Sequence, residues 1–303
     1  MVAVALMSFI VLGLLAMFSQ TQRAFRASMT QTDVLESGRI TTDILARELG
    51  QIIPSERAFT TNLFAQLSPF FMQPLLQGMP GTTLAPGVQD QRTNIVQRIY
   101  FLSQNNQNWI GTGYEVLPES TNGSGLVGTL YRFNYVTNSY NMGVLSSNFQ
   151  FAARIAAQNV LQSQPVTNLN RLADGVVHFR LRAFATNGYP IIWERATANA
   201  VFRTNAFTSG SAYPYSRPMR GVAAYGSLPD EVDYYFMSNA VPAYLELELG
   251  ILEPHILERY RAIGGGSPLA QQAQRKYLSN HVAQVHVFRQ RIPVRTVDFS
   301  AYQ

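Results

Sequence analysis

The first fifty residues follow a hydrophobic pattern that predicts one helix with two parts. Residues 1–18 carry no charge and almost no polar side chain. From Phe25 onward, apolar residues recur at helical spacing with charged residues between them, which is typical of an amphipathic helix. Pro54 cannot continue a helix. We therefore expect a helix from the start of the chain to about Ile53, roughly 80 Å long at about 1.5 Å per residue.

The two parts of this helix predict different environments. The apolar part is just long enough to cross a bilayer, which needs about 17–25 apolar residues. Its expected membrane-span residues are Val2, Leu6, Phe9, Ile10, Leu12, Leu14, Leu15 and Phe18. The amphipathic part carries a stripe expected to contact other helices, formed by Phe25, Met29, Leu35, Ile44 and Leu49. The alternative is a separate membrane anchor followed by an ordinary amphipathic helix. We favour a continuous helix because no Gly-Pro turn signal occurs between Phe18 and Pro54.

After Pro54 the pattern changes to a connector and then to strands. Residues 54–94 are rich in Pro, Gly, Gln and Thr, which indicates loops or short helices. Period-two alternation and β-branched residues then predict strands at 97–103, 112–118, 127–136, 175–186, 241–250 and 281–294. Short helices are expected at 253–263 and 268–280, and a polar loop at 209–227.

These elements predict an α+β fold class. It consists of a long N-terminal α-helix, membrane-spanning and then amphipathic, followed by a mainly antiparallel β-sheet domain with inserted short helices. The expected domain organisation is an N-terminal assembly helix (1–53), a connector (54–94) and a β-rich domain (95–303).

Composition and motifs exclude several function classes. The formal charge is only +5, and the basic residues are dispersed, whereas nucleic-acid binding needs a concentrated basic footprint. The chain has no cysteine and only 4 histidines, with no HExxH among them. The sequence also has no GxSxG, no P-loop and no GxGxxG that is followed by a predicted helix. We therefore expect no catalytic residue, no metal, no cofactor and no nucleic-acid partner.

One carboxylate pair remains as candidate chemistry. Glu246 and Glu248 share one face of the predicted strand YLELEL, and such a pair could serve acid–base catalysis. The favoured interpretation is a half-buried strand with its polar side in solvent. Arg180 and Arg182 alternate in the same way in HFRLRAF, which predicts that the two strands are antiparallel neighbours with facing Arg–Glu pairs.

The order of an apolar helix, an amphipathic half and a β-rich domain resembles that of type IV pilins and of the pseudopilins of type II secretion. Residues 172–194 and 227–249 resemble the paired closing strands of J-type minor pseudopilins and W-type minor pilins. Leu228-Pro229-Asp230-Glu231-Val232 resembles a Leu-Pro-x-x-Val phrase of that family, in which a strand usually follows the valine directly. The family's leader and near-terminal glutamate are missing, so the true start is expected to lie upstream of Met1.

The resemblance implies a minor pilin or pseudopilin rather than an enzyme. Such a protein would be anchored in the bacterial inner membrane by a single span, with its C-terminal domain in the periplasm, and would be incorporated into an envelope filament. The implied partners are other pilin or pseudopilin subunits, an inner-membrane assembly platform and membrane lipid.

The alternative function is a single-span membrane-anchored periplasmic enzyme or carbohydrate-binding protein. A helix used for assembly predicts that Phe25, Met29 and Leu35 are exposed in the isolated chain, whereas the alternative predicts a pocket lined by converging polar groups.

Overall fold

The computed structural model describes residues 2–57, 60–71, 75–85, 88–118, 126–162, 169–185, 188, 190–191, 215–218, 232–264 and 267–296. Its α-helices are α1 (Val2–Leu49), α2 (Leu145–Leu161), α3 (Pro254–Ile263) and α4 (Pro268–Asn280). Its strands are β1 (Thr61–Leu67), β2 (Leu75–Ala85), β3 (Val88–Asn94), β4 (Gln97–Asn105), β5 (Asn108–Pro118), β6 (Gly128–Thr137), β7 (Asn170–Phe184), β8 (Tyr215–Pro218), β9 (Val232–Met237), β10 (Tyr244–Leu252) and β11 (Val285–Pro293).

A nine-stranded antiparallel sheet organises the fold. Its strand order is β11-β10-β7-β6-β5-β4-β1-β9-β8, and β2 pairs separately with β3. The sheet curls, so that the residues before β4 reach the middle of β7. There Val96 forms a parallel bridge with Phe179, and the Phe179 N–H donates to the Ile95 carbonyl at 2.8 Å.

Helices cover both faces of the sheet. The last turns of α1 pack on one face, where Leu45 and Leu49 are fully buried against Leu181 and Leu247. On the other face α2 places Phe149 among Phe64, Tyr100 and Phe133. Gly113 on β5 permits this approach, because a Cβ there would overlap the Phe149 ring.

A polar network and a close contact fix α1 on the sheet. Glu48 accepts a hydrogen bond from Tyr114 on β5 and forms an ion pair with Arg132 on β6, at 2.9 Å between Oε1 and Nη2. Ten residues earlier, Gly38 lies directly under the ring of Phe288 on β11. These contacts hold the C-terminal part of α1 at two points.

The predicted fold class is wrong in its membrane-spanning helix. Within the described part of the chain, no helix is long and apolar enough to cross a membrane. The apolar stretch that includes Ile10, Leu12, Leu14, Leu15 and Phe18 ends at Ser19, where five consecutive polar residues begin. The same finding contradicts the predicted location as a single-span inner-membrane protein. The side chains of Val2, Leu6 and Phe9 lie outside the described ones.

Many of the other predicted elements are present. Strands lie at all six predicted places, and α3 and α4 match the two expected short helices. The interpretation of residues 54–94 as loops or short helices is wrong, because that segment contains β1, β2 and β3. Of the loop expected at 209–227, residues 215–218 form β8 and the others lie outside the described residues.

Two strands, β9 and β10, lie close to the Leu-Pro-x-x-Val phrase in sequence. β9 begins at Val232 itself and pairs with β1. β10 begins at Tyr244, within the run PAYLELEL, and continues to Leu252 beside β7. The four residues before Val232 lie outside the described part.

Replacing Gly38 by alanine tests the contact between α1 and β11. Gly→Ala in a helix interior normally stabilises by about 0.5–1 kcal/mol. At Gly38 the added methyl group would overlap the Phe288 ring, and overpacking of this kind costs about 1–3 kcal/mol. We therefore expect Gly38→Ala to lower the free energy of unfolding measured by urea denaturation.

Gly13 in the same helix provides the matched control. A Cβ at Gly13 meets no atom of the described residues within 4 Å. We expect Gly13→Ala to be neutral or stabilising, and equal effects of the two substitutions would contradict this account of the contact.

Candidate assembly surface on the first helix

The N-terminal part of α1 presents large apolar side chains to solvent. Each of the following is more than half exposed: Met7, Ile10, Val11, Leu12, Leu14, Leu15, Met17, Phe18, Phe25 and Met29. We call these ten residues the helix surface. Monomeric soluble proteins rarely expose a large contiguous apolar patch. Where such a patch is exposed, it marks an interaction site.

The helix surface has a definite geometry. At 100° per residue, the consecutive apolar residues from Ile10 to Phe18 point to every side of α1. Met7, Val11, Leu14, Phe18 and Phe25 follow spacings of four, three, four and seven, which place them on one stripe of a heptad pattern. The same geometry puts this stripe opposite the docked residues of α1, so it faces away from the sheet.

The structure divides the predicted assembly stripe. Phe25 is 66% exposed, Met29 56% and Leu35 47%, as the helix-packing hypothesis requires. Ile44 is half-buried, and Leu49 is fully buried in the core. The prediction that Leu49 is available to other helices is therefore wrong, because the last turns of α1 pack on their own sheet.

The predicted pairing of arginine and glutamate is confirmed. β7 and β10 are antiparallel neighbours, with Arg182 opposite Glu246 and Arg180 opposite Glu248. β11 adds Arg291 and Arg289 on the other side of β10. Both glutamates are only 5% exposed, so the expectation that this face is solvated is wrong.

Ion pairs occupy both carboxylates. Glu246 lies 3.4 Å from the nearest side-chain nitrogens of Arg182 and Arg291. Glu248 pairs with Arg289 and with His178, whose Nε2 lies 3.1 Å from Oε2. Because the Ile95 N–H donates to Nδ1 of His178, the imidazole proton at this contact belongs on Nε2.

The pKa of Glu248 reflects these partners. Burial by itself raises this pKa, but the hydrogen bond from His178 and the positive charges around it outweigh burial and lower the pKa to about 2. Glu248 is therefore held as a carboxylate anion, and it is not poised to donate or accept a proton near neutral pH.

Sequence reasoning missed another buried acid, Glu115 on β5. Its side chain lies on the α2 face of the sheet, and Ser68 donates a hydrogen bond to Oε1. Its Oε2 has no hydrogen-bond partner among the described residues. Burial raises the pKa of Glu115 to about 7, although Arg98 and Ser68 act in the opposite direction.

A cavity opens where α1 leaves the sheet. Its volume is about 370 Å³, and its walls come from α1, the start of β7, the end of β10 and α3. The floor is apolar and includes Leu172, Ile251 and Leu257, whereas charged residues stand at the rim. Among the residues that the structure describes, no group of three His, Cys, Asp or Glu side chains could hold a metal ion.

Comparisons with protein-family models, with curated proteins and with solved structures found no match.

The raised pKa of Glu115 predicts a specific pH dependence of stability. Below about pH 4.5 the carboxyl is protonated in both the folded and unfolded states, so its burial does not lower the free energy of unfolding through ionisation. Between pH 4.5 and 7 only the unfolded state releases the proton, so the folded state loses about 1.4 kcal/mol per pH unit. We expect Glu115→Gln to match the parent protein at pH 4.5 and to exceed its unfolding free energy by roughly 3 kcal/mol at pH 8.

Glu248→Gln serves as the control with the opposite sign. Because the folded-state pKa of Glu248 is lowered, its carboxylate stabilises the fold above about pH 4.5, and this contribution disappears as the pH falls toward 2. Urea denaturation across pH 3–8 measures both variants. Parallel pH profiles for the parent protein and Glu115→Gln would contradict the assignment.

Proposed function

We propose that this protein is a structural subunit that assembles with other subunits by packing α1 against their first helices, in the manner of a minor pilin or pseudopilin. The observation that carries the proposal is the helix surface, which is apolar and has no cover within the described chain. A helix that is hydrophobic all round is normally buried.

The energetics favour association. Burying one large apolar side chain contributes about 1.5–3 kcal/mol. Association itself costs roughly 4–15 kcal/mol in lost translational and rotational freedom. Covering one or two residues would not offset that cost, whereas covering most of the ten residues of the helix surface would.

The geometry favours several neighbouring helices over a single one. Between Ile10 and Phe18 the apolar residues point to every side of α1, so one partner helix would leave part of them exposed. From Phe25 onward the exposed apolar side chains lie mainly on one side. This arrangement suits a bundle of helices from which the β-rich domains project.

The enzyme or carbohydrate-binding alternative receives less support. Its strongest candidate was the pair Glu246 and Glu248, and arginine and histidine partners occupy both carboxylates. Glycosidase chemistry needs one carboxyl group that carries a proton near neutral pH.

A double substitution on α1 tests the proposed assembly. Phe25→Glu with Met29→Glu removes about 3–6 kcal/mol of apolar burial from each contact that includes both side chains. We expect the parent protein to form large multi-subunit particles in sedimentation velocity. The double variant should need at least about 100-fold higher concentration to do so.

Leu269→Glu provides the control, since Leu269 on α4 is 79% exposed and lies outside the helix surface. It should assemble like the parent protein. A parent protein that remains monomeric at concentrations up to about 1 mM, or equal assembly of both variants, would overturn the proposal.

A further inference from the structure

The cavity beside α1 has the features of a docking site for a large apolar side chain. Its floor consists of buried or half-buried aliphatic residues, including Leu172, Ile251 and Leu257. Its rim carries Asp33 on α1, and Glu258 and Arg261 on α3. An apolar centre with a polar rim is the usual composition of a protein–protein contact.

The cavity is large enough for an aromatic ring. A cavity of about 150 Å³ lined by aliphatic and aromatic side chains accommodates benzene. The present cavity measures about 370 Å³ and is open to solvent along one side of α1. It can therefore accept a phenylalanine together with part of the helix turn that carries it.

We propose that the cavity receives Phe25 of a second copy of this chain. This inference rests on the proposed function and names the contact between neighbouring subunits. Phe25 is 66% exposed and belongs to the helix surface. A neighbour whose α1 runs parallel and is displaced by roughly 12 Å along the axis would bring its Phe25 to the level of Asp33.

Charge supports this choice of occupant. In the sequence, Phe25 stands between Arg23 and Arg26. Rim residue Asp174 is already paired with Arg171. The other charged rim residues are Asp33, Glu258 and Arg261, so an incoming basic segment meets a rim with a net negative charge. Phe18, the other exposed aromatic residue of the helix surface, has no basic residue within four positions.

The contact would be heterologous, because the phenylalanine and the cavity lie on different parts of the subunit. A heterologous contact repeats from one copy to the next and forms a ring or an open helical array. The inferred axial displacement prevents closure into a flat ring. Repetition of this contact would make growth directional, which a symmetric contact between two α1 helices would not do.

Disulfide cross-linking tests the contact, since the chain has no cysteine of its own. Gln22→Cys lies about one turn before Phe25, and Glu258→Cys lies at the cavity rim. After the two single variants are mixed and oxidised, we expect the mixed disulfide dimer in at least tenfold higher yield than from Gln22→Cys mixed with Tyr140→Cys. Tyr140 is 84% exposed and does not line the cavity.

One further variant and the sedimentation measurement separate this inference from the proposed function. Adding Phe25→Ser to the Gln22→Cys chain should reduce the yield of the mixed dimer to the Tyr140 level. Sedimentation velocity of the parent protein reports helix assembly without any introduced cysteine. If the parent protein forms large particles but Gln22→Cys and Glu258→Cys do not cross-link, the cavity contact is wrong and the helix assembly stands. If the parent protein stays monomeric and no variant cross-links, both are wrong.

Discussion

The docking of α1 at its C-terminal end is the constraint on which the rest of the structure depends. Glu48 joins Tyr114 and Arg132 on two adjacent strands, while Gly38 lets the ring of Phe288 press against the helix backbone. The carboxylate is partly buried and has both partners in place, and removing one partner of such a group is costly. With two fixed points, the direction of the remaining helix is also fixed, and the sheet does not cover its apolar residues.

Because only the C-terminal part of α1 is docked on the sheet, leucines of the same helix lie in two different environments. Leu45 and Leu49 belong to the core of the sheet, whereas Leu14 and Leu15 belong to the exposed helix surface. The change occurs near Val34, which is buried and contributes to the cavity. The cavity exists because α1 separates from the sheet there. The exposed helix surface and the cavity that is proposed to receive Phe25 therefore have the same structural cause.

The sequence predicted the elements whose pattern is local. The alternation in YLELEL and HFRLRAF was sufficient to place β10 beside β7 and to pair their charges. It did not predict α2, whose buried side includes Ala153, Ala156 and Ala157, because small residues give a weak hydrophobic pattern. β1 was missed because Pro and Gly dominate the residues that follow it. The membrane span was wrong because a run without charges was taken as sufficiently apolar.

Glu115 could not have been found from sequence because its environment comes from separate strands. Its neighbour Tyr114 faces α1 and contacts Glu48, while Glu115 faces α2, since successive side chains of a strand point to opposite sides. Ser68 and Arg98, which modify its pKa, lie far from it in sequence. A proton taken up by Glu115 therefore relieves a buried charge on the α2 face and leaves the ion pair that docks α1 unchanged. The pH dependence that Glu115 gives to the stability of the sheet therefore comes from a residue outside the contacts that orient the helix surface.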